Sequence, residues 1–401
     1  MYTTKAQICI RRDTAANFTS ANPTLALGEI AYETDTQRFK VGTGSTVWTS
    51  LGYAAQNPTS LTVAGNITCS GTGAITMPSG TIAQRPGTPA AGMIRHNSTS
   101  SRLEYYNGTA WQTFQPETLE VEYLVVAGGG SGGGTSFWGG GGGGAGGYRT
   151  NVSGTALALA SGTSYTVLVG AGGAFSVVAQ GNGSNSQFAS ITSTGGGCGQ
   201  LNSVVLAANG GSGGGGAGQT NGGGALGNTP ATVPSQGNDG GDGFRESSGL
   251  TRRAGGGGGG ASAAGSDGVV DVKGGDGGAG ESNSITGSAV NYAGGGGGGY
   301  GFGSGATAYP GGAGGVGGGG VGCGDGVIAA SGTVNTGGGG GGAAIGTVGG
   351  GTGGNGGSGI VIVRYLGPQR ATGGTVTAGT GSAAGYTIHE FKTSGTFALV
   401  A

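Results

Sequence analysis

Alternating apolar and polar residues occur in short stretches along this chain, and each predicts a strand. Lys5 to Arg12 alternates enough to be one, whereas Ala15 to Pro23 is polar and turn-like. Leu27-Gly-Glu-Ile-Ala-Tyr-Glu-Thr-Asp-Thr36 reads as a strand running into a turn, Arg38-Phe-Lys-Val-Gly42 as the returning strand, and Trp48 to Tyr53 as aromatic bulk. Ser60 to Thr68 is a short alternating strand ending in a glycine bend. Thr81 to Pro89, Gly92 to Asn97 and Leu103 to Trp111 read as two strands and a turn, with Asn107-Gly108 a good hairpin turn. Two apolar stretches follow far apart, Val121-Glu-Tyr-Leu-Val-Val-Ala127 and Gly359-Ile-Val-Ile-Val-Arg-Tyr365. Between them Ser164 to Gly170 and Ser186 to Ile191 are the clearest strands, and Gly385 to Val400 reads as a closing hairpin.

What lies between the two apolar stretches is mostly glycine. The chain holds 109 glycines in 401 residues, several times the usual share of about 7%. Gly139 to Gly144, Gly255 to Gly260, Gly294 to Gly299 and Gly337 to Gly342 are four runs of six. Such composition ordinarily means a flexible linker. The alternative is a packed lattice of polyglycine helices, with about 3 residues per turn and about 3.1 Å rise. In that conformation every N–H and C=O points away from its own run, so only neighbouring runs can satisfy them. Only glycine, lacking a Cβ, lets the runs approach that closely. Runs of similar length, diverse segments between them and bracketing strands favour the lattice. The ordering entropy is large, and many backbone hydrogen bonds of about 0.5–1.5 kcal/mol net must offset it.

These readings divide the chain into a β module at 1–56, a β collar at 57–120, a glycine domain at 121–366 and a tail at 367–401. The expected fold class is mostly β and irregular, with small trimeric β modules followed by a polyglycine-helix sandwich bracketed by strands, and almost no α-helix. Short polar strands bury little alone, so trimerisation is a physical expectation for residues 57–120.

Charge sharpens the exclusions. Charged residues make up 8% and the net charge is -1, which argues against a basic nucleic-acid surface or binding to an anionic membrane. No apolar stretch approaches the roughly 18 residues of a membrane span. Cys9, Cys69, Cys198 and Cys323 lack the spacing of a disulfide framework or zinc site, and read as free buried thiols. Gly129-Gly-Ser-Gly-Gly133 and Gly210-Gly-Ser-Gly-Gly214 match the serine-hydrolase elbow only by composition, because no strand–turn–helix context accompanies them. His96 and His389 lie outside the glycine domain, and His96 reads as a hydrogen-bonded structural residue before it reads as a metal ligand on a trimer axis. Asp239, Asp242, Asp267, Asp276 and Asp325 sit near glycines without the nine-residue repeat of a calcium roll. No catalytic residue, metal or cofactor is expected.

Ile10-Arg-Arg-Asp-Thr-Ala-Ala-Asn-Phe18, Leu27 to Thr36 and Phe39-Lys-Val-Gly-Thr-Gly-Ser-Thr-Val-Trp48 resemble the N-terminal module of bacteriophage tail-fibre and tropism-determinant proteins. The collar is similar to shaft modules of phage fibres, and the glycine domain resembles glycine-rich adhesin domains at fibre tips. The resemblance implies a homotrimeric receptor-binding protein of the virion, assembled in the host cytoplasm. Residues 1–56 would bind other tail or baseplate proteins, and loops on the glycine domain would meet a host receptor of protein or polysaccharide. If the bracketing strands pair at a base and each long run crosses the domain once, Thr135 to Trp138, Tyr300 to Pro310 and Ala343 to Val348 lie at the far end. Phe137, Trp138, Tyr300, Phe302 and Tyr309 are then candidate contacts, and Phe244, Arg245, Arg252 and Arg253 form the domain's one cluster of aromatic and paired basic residues. A fibre-borne depolymerase and a purely structural fibre are the alternatives.

Overall fold

The computed structural model describes residues 10–54, 72–114, 118–134, 139–176, 178–179, 181–201, 205–219, 221–246, 252–302, 309–324, 327–344 and 351–400. The strand at Ser60 to Thr68, Phe137, Trp138, Cys9, Cys69 and Asp325 lie outside them. Two compact units divide the chain, residues 1–85 with 94–99, and residues 86–93 with 100–401.

In the first unit, strand Ile30–Glu33 pairs antiparallel with Phe39–Val41, as the hairpin pattern predicts, and parallel with Arg11–Asp13. The segment expected to be a turn is instead the α-helix Ala15–Ala21. Its caps explain the difference: the Thr14 side chain accepts from Asn17 N–H, and Asn22 closes the helix in a left-handed conformation. Its one buried residue, Phe18, stacks on Trp48 at 4.2 Å between ring centroids. Leu25, Ala31 and Leu51 complete that small core. Lys40 Nζ donates to Trp48 O at 2.8 Å and lies 4.7 Å from the Trp48 ring. Burial pushes the Lys40 ammonium below its usual pKa. His96 is hydrogen-bonded, with Nδ1 3.0 Å from Ser79 Oγ.

The second unit is built on a two-sheet sandwich. Strand Thr118–Val126 pairs antiparallel with Ile360–Leu366, so the two bracketing stretches meet as expected. Both are central strands, flanked by Leu157–Ala160 on one side and Tyr386–Phe391 on the other. One face carries Val121, Tyr123, Val125, Val361, Val363 and Tyr365 against Val167, Phe188 and Phe397 of the facing sheet. The opposite face carries Leu124, Val126, Ile360 and Ile362 against Ala145, Ile285, Tyr292 and Ala293, where the glycine runs begin. Apolar residues therefore occupy both strand faces, which accounts for the unbroken apolar words. Gly385 to Val400 is not a hairpin, although Tyr386–Phe391 pairs antiparallel with the preceding Thr375–Ala378. Tyr386–Phe391 joins the first sheet and Gly395–Leu399 the second, where it pairs with Ser164–Leu168. Turning between sheets lets Phe391 and Phe397 enter the same core.

His389 sits in that core at 0% exposure. Tyr365 Oη accepts from the N–H groups of Arg370 and Ala371, so its own proton goes to His389 Nε2, 3.0 Å away. The ring's Nδ1–H then donates to Gly373 O at 2.7 Å. This closed network fixes a neutral imidazole, and burial lowers its pKa from 6.5. The unfolded chain binds the proton more readily, so this contribution is complete above about pH 6.5 and shrinks as the pH falls below it. Melting temperature should decline over that acid range, and His389→Gln should flatten the decline; equal slopes in calorimetry would refute the assignment.

The glycine runs are not β-sheet. Consider 139–147. Gly140, Gly143 and Gly146 donate to Ala343, Gly340 and Gly337; Gly141, Gly144 and Gly147 donate to Gln200, Gly197 and Thr194; Gly142 and Ala145 donate to Gly256 and Gly259. Donors thus repeat every third residue, the repeat of a helix with about three residues per turn. Acceptors repeat likewise. The run takes N–H groups from Gly130 and Gly133, from Ser212 and Gly215, and from Gly296 and Gly299. It is surrounded by six other threads. Each of the four six-glycine runs bonds to at least two of the others, and together they form the interior of the slab.

Why glycine is required there is a matter of space. None of residues 139–144, 255–260 or 294–299 has positive φ. A Cβ on Gly142 would instead stand 2.0 Å from Gly296 O, and one on Gly258 2.0 Å from Gly143 O. Cys198 and Cys323 are buried free thiols among the threads, and Ser131 and Ser212 of the elbow-like words are buried within them.

Peripheral threads use side chains as staples. Asp239 and Asp242 accept from the N–H groups of Gly227 and Gly224. Asn182 and Asn185 accept from Cys198 and Gly195. In both cases acceptors three residues apart meet donors three residues apart on an antiparallel neighbour. Asp267 and Asp276 likewise accept from the backbone of Asp242 and Ala313. Among the described residues no group of acidic, histidine or cysteine side chains could hold a metal.

Candidate recognition surface

The threads carry the chain from the sandwich to an opposite end. Ala145, Tyr292 and Ala293 lie in the sandwich-side core, while the other ends of the same threads meet through Gly140 to Ala343, Gly299 to Gly140 and Gly255 to Gly299 hydrogen bonds. Six residues at about 3.1 Å each separate the two levels by about 19 Å. The described flanks of the three connections counted to the far end, Gly134, Ala343 and Tyr300, all lie at this level.

Here a small sheet forms. Strand Phe244–Arg245 pairs antiparallel with Arg253–Ala254, which pairs antiparallel with Tyr300–Gly301. Tyr300 and Tyr309, separate in sequence from the aromatic-basic cluster, are thereby brought beside it. Phe244 is 42% exposed and Arg245 is exposed beside it. Arg253 is buried, and burial followed by the neighbouring Arg245 charge lowers its pKa. Arg252 Nη1 lies 2.5 Å from Asp271 Oδ1. Tyr300 is 0% exposed, and burial raises its phenol pKa. Its ring packs against Tyr309 with centroids 5.2 Å apart. Phe302 and Tyr309 are half-buried.

Tyr300 and Arg253 thus support the surface from within, while Phe244, Arg245, Phe302 and Tyr309 reach solvent. Sequence reasoning missed the turn Val269 to Lys273, which flanks the small sheet. With Phe244, Arg245, Glu246 and Asp267, Val269 lines a shallow depression. The available signal was Val269-Val-Asp-Val272, an apolar word inside a glycine domain.

Residues 104–366, more than half of the chain, match the glycine-rich domain family. The chain belongs to the glycine-rich domain family. Residues 8–46 of this glycine-rich protein match the Major tropism determinant N-terminal domain. Together the two matches support a likeness to tropism-determinant and phage tail-fibre proteins. No curated protein and no solved structure matches the chain. Among the described residues no helix is long and apolar enough to cross a membrane.

Proposed function

We propose that this glycine-rich protein is the receptor-binding component of a phage tail fibre, and that the far end of its slab meets the host surface. The observation that carries this reading is the convergence of Phe244, Arg245 and Tyr309 on one end of a frame whose other end is the sandwich. Binding is by contact, without catalysis. Residues 1–56 attach the protein to other tail or baseplate components. Leu27 is 82% exposed there, with Ile10, Ile30 and Val41 also exposed, an apolar surface suited to further copies of the chain. Three copies per fibre, assembled in the host cytoplasm, raise weak contacts to firm adhesion through effective concentration.

The purified protein should block phage adsorption to host cells. Phe244→Ala and Arg245→Ala should each weaken that block by at least about tenfold, with melting unchanged because both side chains are exposed. A wild-type protein that neither binds cells nor competes with phage sinks the reading. Shortening of capsule or lipopolysaccharide on incubation would replace it with the depolymerase.

A further inference from the structure

Asp271 occupies an unusual position. Its φ is +62°, a region a side-chain-bearing residue rarely adopts and which Asp and Asn tolerate best. It heads a tight turn in which the N–H groups of Val272 and Lys273 both donate to Val269 O. The turn's stems are pinned to threads, since Gly268 N–H donates to Asp242 O and Gly274 N–H to Pro310 O. Asp271 links the turn to the small sheet twice. Its carboxylate holds the Arg252 guanidinium at 2.5 Å, and its backbone N–H donates to Tyr300 Oη at 3.1 Å. Tyr300 is buried and the Arg252 side chain is only 18% exposed. The partners are therefore fixed, and Asp271 transmits their placement to the turn. The turn exposes Val269 at 48% and Val272 at 52%, beside the part-exposed Asp271 and Lys273 side chains.

We propose that Asp271 is a positioning residue of the recognition surface, and that Val269 is a contact residue held beside Phe244 and Arg245. This rests on the reading of the far end as the receptor-binding surface. The carboxylate engages Arg252, while among the described residues Arg245 has no ion-pair partner. The depression so formed sets Phe244 and Val269 beside Arg245, with Glu246 and Asp267 in the same lining.

The test uses the full-length protein and intact host cells, reading cell-binding affinity and melting temperature. Asp271→Asn and Asp271→Gly both keep a residue suited to positive φ and remove the carboxylate. Each should weaken binding about tenfold with unchanged melting, and Asp271→Asn combined with Arg252→Gln should weaken it no further than either alone. Val269→Ser should weaken binding while leaving the Arg252 pair intact. Wild-type binding by Asp271→Asn and Asp271→Gly overturns the proposal while the receptor reading stands. A fall in binding that tracks a fall in melting across the variants also overturns it, because the role would then be structural. If the wild-type protein fails to bind cells, the receptor reading itself fails.

Discussion

Gly142→Ala is expected to prevent folding, whereas Gly223→Ala should melt at or slightly above the wild-type temperature. Both are glycines in threads, and only their surroundings differ. The added methyl at 142 would stand 2.0 Å from Gly296 O, about 1 Å inside ordinary contact. The run around it donates to three neighbours and accepts from three more, so no direction of retreat is free. Moving one thread breaks bonds to several others, each worth about 0.5–1.5 kcal/mol, and the sum exceeds the roughly 4–5 kcal/mol that marks an exceptional single substitution. At Gly223 the nearest atom to an added methyl is Asp242 Oδ1 at 3.9 Å. There alanine only restricts the unfolded chain, which favours folding by about 0.4–1 kcal/mol. Soluble yield and thermal melting of the pair decide the matter. Similar losses at both positions would mean that composition, not packing, sets the requirement for glycine.

Arg364→Ala is the second large effect. The guanidinium is 7% exposed and lies between strands, with Nε 2.6 Å from Glu122 Oε2. Nη1 donates to the carbonyls of Ser284 and Ile285, and the group lies 4.5 Å from the Tyr386 ring centroid. One side chain therefore ties both central strands to the segment that delivers the chain to thread 294–299. Alanine leaves Glu122, whose side chain is 17% exposed, charged without this partner. Breaking a buried pair costs about 3–5 kcal/mol, which chemical denaturation would register as a lower midpoint at unchanged slope. Arg364→Met, combined with Glu122→Gln, should recover part of the loss, since it removes the orphaned charge.

The sequence made the sandwich strands legible because Val121 to Ala127 and Gly359 to Tyr365 are apolar on both faces. It made the threads legible through run length. It did not reveal their partners, because a glycine run carries no side-chain pattern to fix its register. The pairs Asp239/Asp242 and Asn182/Asn185 do carry that information, since each reads off an antiparallel neighbour at the same three-residue step. Helix Ala15–Ala21 was hidden for the opposite reason: seven residues with one buried anchor leave no periodicity to count. At the recognition surface, residue types pointed to Phe244 and Arg245, but only tertiary folding could show that Tyr300 faces inward and that Asp271 stands between them.

Most thread-to-thread bonds of the interior join peptide groups. Connecting segments that send no side chain to the frame can therefore change without disturbing it. On the proposed receptor reading, such a separation lets host range drift while the glycines themselves stay locked.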